Sequence, residues 1–367
     1  MTHRHGLVVG KFYPPHAGHH HLIDTAAAAC ARVTVLACWS SAESLPVALR
    51  AAWLREAHPQ PHVEIVAVVD DTEVDYADPG VWDAHEAAFR HGLALQAGLG
   101  AERPPVDAVF SSEEYGPELA RRFGAAHVPV DPPRGRFPVS GTAVRADPAA
   151  NWRWLSPAVR GHLARRVVVV GAESSGTTTL ARALADRYAA RGGVWEATRW
   201  VPEYGRTYCE EKLAAARRAA RDPGLWLDDL VWGSAEFTTI AERHLAMEDA
   251  AARAGSPVLF CDTDAFATML WHERYLDAPA PDVERLHERA PHHLWILTDV
   301  AGVPFEQDGW RDGESVRGRM DGRFRAELAR RGLPHVAVTG PHEARLAAAV
   351  DAVDALLAKG WEFTPPL

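Results

Sequence analysis

Short β-branched runs at Leu7–Val9, Val33–Ala37, Val63–Val69 and Val106–Phe110 alternate with helical patterns around His19–Ala29, Leu45–Ala57 and Trp82–Gly98. Strand and helix in that rhythm predict βαβ units around a mostly parallel sheet. The segment DPPRGRFP, residues 131–138, breaks the rhythm and reads as a loop because of its prolines and glycine. After NWRWLSPAVRGHLARR the pattern restarts with Val167–Val170, a glycine-rich turn and a long helix. The pattern therefore predicts two α/β domains, residues 1–155 and 160–367, joined near residues 150 to 165.

A chain of 367 residues is long enough for two such domains, each with its own core. The formal charge of -10 argues against a nucleic-acid partner, because phosphate backbones are bound through clustered Lys and Arg. Small anionic metabolites stay open, since a few local cations suffice for them. The opening MTHRHGLVVG has an apolar run too short for a signal peptide, and no later stretch approaches the roughly 20 apolar residues of a membrane span. Cys30, Cys38, Cys209 and Cys261 form no C-x-x-C pair and read as reduced packing residues. A cytoplasmic protein without a membrane partner is expected; the oligomeric state, a homo-oligomer included, is left open.

GKFYPPHAGHHH, residues 10–21, follows the first strand directly. Three readings compete for it: a metal site, a structural loop or a phosphate cradle. Gly10 ends the strand, Pro14 and Pro15 hold the chain out of a helix, and His19 begins the next periodic segment. The histidines thus lie between a strand C-terminus and a helix N-terminus, where open parallel sheets bind ligands and helix ends favour anions. Zinc needs three or four ligands; His16 and His19 supply two, and no Cys or carboxylate nearby in sequence completes the set.

These residues resemble the G-x-F-x-P-x-H-x-G-H signature of the nucleotidylyltransferase superfamily. SGTAVR, residues 140–145, resembles the superfamily's later S-x-T-x-x-R motif. The resemblance implies a Rossmann-like domain in which His16 and His19 act on the phosphates of ATP, with Lys11 as a point charge and Arg145 as a phosphate fork. Gly10, Phe12, Gly18, Ser140 and Thr142 would complete the ATP site.

The second domain opens with GAESSGTT, residues 171–178, between an apolar strand and a helix, as a P-loop should be. Gly171, Glu173, Ser174, Ser175, Gly176, Thr178 and Thr179 fit a backbone cradle for phosphates. Thr177 stands where the pattern G-x-x-x-x-G-K-[ST] has lysine, so the usual point charge on the β- and γ-phosphates is missing. VLFCDTD, residues 258–264, is an apolar strand ending in two carboxylates, so Asp262 or Asp264 is expected to organise Mg²⁺ and a hydroxyl nucleophile, with the Thr178 hydroxyl as a further metal ligand. PEYGR supplies Glu203, Tyr204 and Arg206, and FEQDGWR supplies Asp308 and Arg311 in a lid-like segment. Arg311, and after it Arg206, is expected to replace the missing lysine.

The order of these motifs, with FSSE at residues 110–113 and the W-x-W linker, resembles the NadR family. The resemblance implies an α/β chain with an N-terminal nucleotidylyltransferase domain and a P-loop kinase-like domain. It implies ATP and Mg²⁺, transfer of an adenylyl group to nicotinamide mononucleotide, and phosphorylation of ribosylnicotinamide. The first strand begins at Leu7, so the helix-turn-helix regulator of some members is not expected. Two other readings stay open: a P-loop domain that only binds nucleotide and regulates, which Thr177 favours, and adenylyl transfer to another phosphate-bearing acceptor. The pyridinium ring of the implied substrates would favour aromatic faces. Trp53 and Trp82, with Arg50 in an R-x-x-W-L element, are the stacking and substrate-binding residues that the resemblance suggests.

Overall fold

The computed structural model describes residues 3–75, 77–97, 104–226, 229–306 and 314–366. Residues up to Val159, together with the segment from Trp361 onward, form one compact unit; Arg160–Gly360 form the other. The sequence pattern assigns the C-terminus to the second domain, and the structure instead returns it to the first. Residues 361–366 have no periodicity that could name a partner, so their docking is a tertiary fact.

In the first unit the elements are β1 (Gly6–Gly10), α1 (Ala17–Ala29), β2 (Val33–Trp39), α2 (Val47–Ala57), β3 (Val63–Val69) and α3 (Pro79–Ala97). They continue with β4 (Ala108–Ser111), α4 (Gly116–Phe123), β5 (Ala126–Pro129), α5 (Gly141–Ala146) and, where the chain passes to the second unit, α6 (Pro157–Leu163). The strands run parallel in the order β3-β2-β1-β4-β5. Side chains alternate across this sheet. Val8, Val35, Ile65 and Phe110 enter one core layer, while Leu7, Leu36, Val66 and Val109 enter the other. Each fully buried side chain of this kind contributes about 1.5–3 kcal/mol. Both faces are covered, which explains why the strands read as continuous apolar runs.

In the second unit the elements are β6 (Arg165–Gly171), α7 (Thr177–Ala189), β7 (Arg199–Val201), α8 (Tyr204–Ala220), α9 (Ser234–Ala254) and β8 (Val258–Asp262). They continue with α10 (Ala265–Leu276), α11 (Pro281–Arg289), β9 (His292–Thr298), α12 (Glu314–Arg330), β10 (His335–Val338) and α13 (His342–Ala358). This sheet is also parallel, ordered β10-β9-β6-β8-β7. Val167, Val169, Phe260 and Ile296 pack against Leu180, Leu184 and Tyr188 of α7. In each sheet the first strand of the unit lies in the centre, and the chain then builds outward on both sides. That reversal opens a crevice beyond the strand C-termini. Among the described residues no helix is long and apolar enough to cross a membrane.

Candidate functional site

In the first unit a cleft opens beyond β1 and β4, at the point where strand order reverses. Gly10 and Lys11 line it from the β1 side, Ser112 and Glu113 from the β4 side, and His16 and His19 from the start of α1. Helix α1 begins at Ala17, two residues earlier than expected, so His16 is its N-cap and His19 lies within the first turn. The two rings stack with centroids 3.7 Å apart and planes 24° from parallel. Stacked rings do not converge on a common ion as zinc ligands would. The backbone N–H of His16 donates to Nδ1 of His19 at 3.3 Å. With Nδ1 accepting, the neutral His19 ring carries its proton on Nε2, and that N–H is its free donor.

The surroundings of both histidines favour the neutral ring. Burial, then the neighbouring His20, lowers His16 to about 3. Burial and the His16 ring hold His19 well below the ordinary histidine range. A polyphosphate would supply the negative charge that this desolvated pair lacks. Phe12, at φ 47, sets its ring edge-on to His19 at 5.0 Å, and a Cβ on Gly18 would lie 3.2 Å from the His16 ring. The signature residues around the histidines therefore build the stack.

Other expected residues take supporting places. Arg50 is fully buried, ion-paired with Glu43 at 2.8 Å and donating to the carbonyl of Lys11 at 2.6 Å. It holds the Lys11 backbone from below and does not line the cleft. Trp53 and Trp82 are 5% and 7% exposed, and Trp82 packs in the apolar layer with Val9 and Leu36. Substrate binding by Trp53 and stacking by Trp82 are thus not what their positions offer: both are core residues. Ser140 caps α5, accepting from the N–H of Ala143 at 3.0 Å. Arg145 donates to the carbonyl of Tyr13 at 2.8 Å and to Thr142 at 3.3 Å.

Arg134 is a cleft residue that the sequence reading passed over. Asp131 accepts the N–H groups of Gly135, Arg136 and Phe137 at 2.8, 3.1 and 3.3 Å, folding DPPRGRFP into a tight loop. This loop puts Arg134 in the wall, ion-paired with Glu113 at 2.7 Å. The usable signal was an aspartate opening a proline- and glycine-rich loop with arginines inside it.

The second unit has a larger cleft beyond β6 and β8, lined by the glycine-rich turn, Glu203, Arg206 and Asp262. Gly171 is required by close approach: a Cβ there would lie 2.2 Å from the Thr298 hydroxyl. Gly176 is required by its φ of +88 at the start of α7. Arg317 donates to the carbonyls of Ser174 and Val303 at 2.9 and 2.8 Å, and Arg345 to the carbonyl of Ser175 at 3.0 Å. Both arginines are buried, and neither was visible as a loop partner because each lies over a hundred residues away. They tie the loop's carbonyls down, as an anion cradle of N–H groups needs.

Thr178 donates its hydroxyl to Asp262 at 2.5 Å, and the Thr177 hydroxyl also bonds to that carboxylate. Hydroxyl and carboxylate oxygens are the hard donors that Mg²⁺ takes. Burial raises Asp262 above the ordinary carboxylate range, against the two hydroxyls. Glu203 stands at the N-cap position of α8, makes no capping hydrogen bond, and lines the same cleft. Burial, Asp262 and Glu173 push it up to about 7 against the pull of Arg206. The residue is half-buried and lines the cleft.

Within the turn, Ser175 is buried, with its hydroxyl bonded to the Ala172 carbonyl and Thr298 at 2.6 and 2.7 Å, so its side chain braces the loop; the Thr179 residue is exposed and is not among the cleft's lining residues. Asp264 is also displaced from its expected catalytic place. Thr263 adopts φ 70, which is strained for a β-branched residue, and the chain turns so that Asp264 caps α10, fully buried, while Asp262 stays in the cleft. Asp308 and Arg311 lie outside the described residues.

The cleft's other wall is aromatic. Trp232 stacks on Tyr275 at 6.2 Å, and Phe237, Trp226 and Trp271 complete the lining. Lys212 sits 4.1 Å from the Trp232 ring. Aromatic faces opposite three acidic groups suit a cationic ring carrying a hydroxyl group. This wall is not legible along the chain, because Trp226 and Trp232 lie in the connection between α8 and α9 whereas Trp271 and Tyr275 lie on α10.

Two parallel α/β units, each with a cleft beyond its central strand, give the chain two candidate nucleotide sites. The AAA domain family is matched over residues 166–345. Two curated proteins named trifunctional NAD biosynthesis/regulator protein NadR are similar to most of the chain. The one from Escherichia coli (strain K12) is 28% identical over 331 residues, and the one from Salmonella typhimurium (strain LT2) is 27% identical over 325 residues. Each match covers 85% of this chain and 72% of the relative. Solved NadR structures share the fold. One in complex with NR has a TM-score of 0.70 at 20% identity, covering 100% of this chain and 99% of that one. Another, with NAD and AMP-PNP, has 0.64 at 23% identity, covering 99% and 98%. The chain resembles the NadR family across both units.

Proposed function

We propose that the chain is a bifunctional enzyme of NAD-related nucleotide metabolism, with an adenylyltransferase in the first unit and a ribosylnicotinamide kinase in the second. The observation that carries this reading is the second cleft, where a P-loop, a Thr178–Asp262 pair and an aromatic wall meet. Relatives named for NAD biosynthesis, and structures holding NR, NAD and AMP-PNP, support the choice of substrates.

In the first unit, a phosphate oxygen of nicotinamide mononucleotide attacks the α-phosphorus of ATP, and pyrophosphate leaves with the electrons of the broken P–O bond. His19 donates from Nε2 to the phosphates, His16 follows once their charge raises its basicity, and Lys11 and Arg134 add positive charge at the wall. Arg145 completes the anion site from α5.

In the second unit, the ribose 5′-hydroxyl oxygen attacks the γ-phosphorus of ATP and ADP leaves. Glu203 takes the hydroxyl proton, a role that suits a carboxylate poised near neutrality. Thr178 and Asp262 would hold Mg²⁺, which when bound neutralises phosphate charge. Arg206 lines the cleft and stands in for the lysine that Thr177 replaces. The pyridinium ring lies against Trp232 and Tyr275.

Thr177 favours a second reading, in which this unit binds nucleotide as a regulatory module without transferring phosphate. Purified protein with ATP and Mg²⁺, given mononucleotide or riboside and followed by chromatography, separates the readings. The bifunctional enzyme makes NAD from both. NAD from mononucleotide alone selects the regulatory module, and no product from either refutes the proposal.

A further inference from the structure

Asp264, turned away from the phosphate cleft, enters a buried cluster with His287 of α11 and His292 of β9. A carboxylate oxygen of Asp264 and one ring nitrogen of each histidine all lie within 4.8 Å of one another. The side chains of Asp264 and His292 are fully buried, and His287 is 8% exposed. Among the described residues no other such group of three occurs.

The surroundings match those of a metal ligand set. Glu248, itself fully buried, bonds to Nε2 of His292 at 2.7 Å, leaving Nδ1 as the nitrogen that faces Asp264 at 3.3 Å. A carboxylate fixing the far nitrogen of a histidine is the usual outer support of a metal-bound imidazole. Trp295 donates Nε1–H to one oxygen of Asp264 at 2.9 Å, and the Ala267 N–H donates to the other at 2.9 Å. The carboxylate is thereby locked in orientation. A further observation points the same way: Nδ1 of His287 and Nδ1 of His292 are both buried without a hydrogen-bond partner, whereas buried polar groups in proteins are as a rule paired.

We propose that Asp264, His287 and His292 bind one divalent transition-metal ion of the zinc class, as a structural centre that ties α10, α11 and β9 together. Two imidazoles and one carboxylate favour such an ion over Mg²⁺ or Ca²⁺, which prefer sets made of oxygen alone. When the ion arrives, His292 gives up its Nδ1 proton to solvent and keeps Nε2–H on Glu248. The centre is separate from the Thr178–Asp262 pair and does not depend on the kinase reading. The competing arrangement is metal-free, with His292 as an imidazolium between Glu248 and Asp264.

The test is metal analysis of the full chain produced in zinc-supplemented medium and passed over a chelating resin. About one zinc per chain is expected in the wild type and in His16→Ala, and about a tenth of that or less in His287→Ala. Co²⁺ added to the stripped wild type should give the visible absorption bands of a low-symmetry, four-coordinate site. His287→Gln, checked for folding by circular dichroism, guards against loss of metal through unfolding and should give no such bands. A folded wild type that retains no zinc and gives no cobalt spectrum overturns the proposal. So does a folded His287→Gln variant that binds metal as the wild type does.

Discussion

Glu203 shows what burial does at one residue. Beside Asp262 and Glu173 its carboxyl is held at about 7, above its ordinary value. In the folded chain it binds a proton more tightly than in the unfolded one, so its contribution to stability falls as pH rises from the ordinary carboxylate range through about 7. Glu203→Gln should therefore leave the melting temperature unchanged or raised at mildly alkaline pH. It should also lower riboside phosphorylation by about 10²-fold or more, the loss expected for a positioned base. Parallel melting curves and initial rates check this; a variant with normal rates removes Glu203 from the mechanism. At this scale the sequence was legible where chemistry is contiguous, as in His16, His19, Thr178 and Asp262. It was illegible where burial decides: Trp53 and Trp82 have the composition of a stacking site but the positions of core residues, whereas Trp232 and Trp271 meet only in space.

Among the elements, α1 carries its chemistry at a titration cost. His16 and His20 are held down to about 3 and about 4, the first by burial and His20, the second by burial and His58. Protons then bind preferentially to the unfolded chain, so the stability these residues allow is present above the ordinary histidine value near 6.5 and is lost as pH falls toward those lower values. The melting temperature should drop between about pH 7 and 5, and the drop should be shallower in His20→Asn. An unchanged slope in that variant would contradict the assignment. The C-terminal segment is a second such element. Thr364 accepts from the Ser44 N–H at 2.7 Å, donates to the Ala42 carbonyl at 2.8 Å and contacts the Tyr13 hydroxyl at 3.2 Å, while Phe363 packs edge-on to Tyr13 at 5.9 Å. Tyr13 lies inside the histidine signature, so deleting residues 361–367 should lower adenylyl transfer about tenfold through looser positioning. Riboside phosphorylation should stay near normal, as separate assays of the truncated chain would show. No periodicity announced this contact, because an irregular tail leaves no pattern.

At the scale of the molecule, the alternation of apolar runs was enough to foresee two parallel α/β units, since strands covered on both faces must read as continuous Val, Leu and Ile. Strand order was not legible, although it is what creates both clefts: β1 and β6 are central only because later strands return to their other side. The two-site account requires each activity to fail alone. His19→Ala removes a donor in one unit, and Asp262→Asn removes the carboxylate that Thr178 and Thr177 bond in the other. The decisive measurement is single-turnover formation of NAD from mononucleotide and of mononucleotide from riboside, in the wild type and in these two variants. The account predicts that His19→Ala lowers the first by about a hundredfold or more and spares the second, while Asp262→Asn does the reverse. A wild type without riboside phosphorylation, or a variant in which both reactions fall together while the fold is intact, would contradict it.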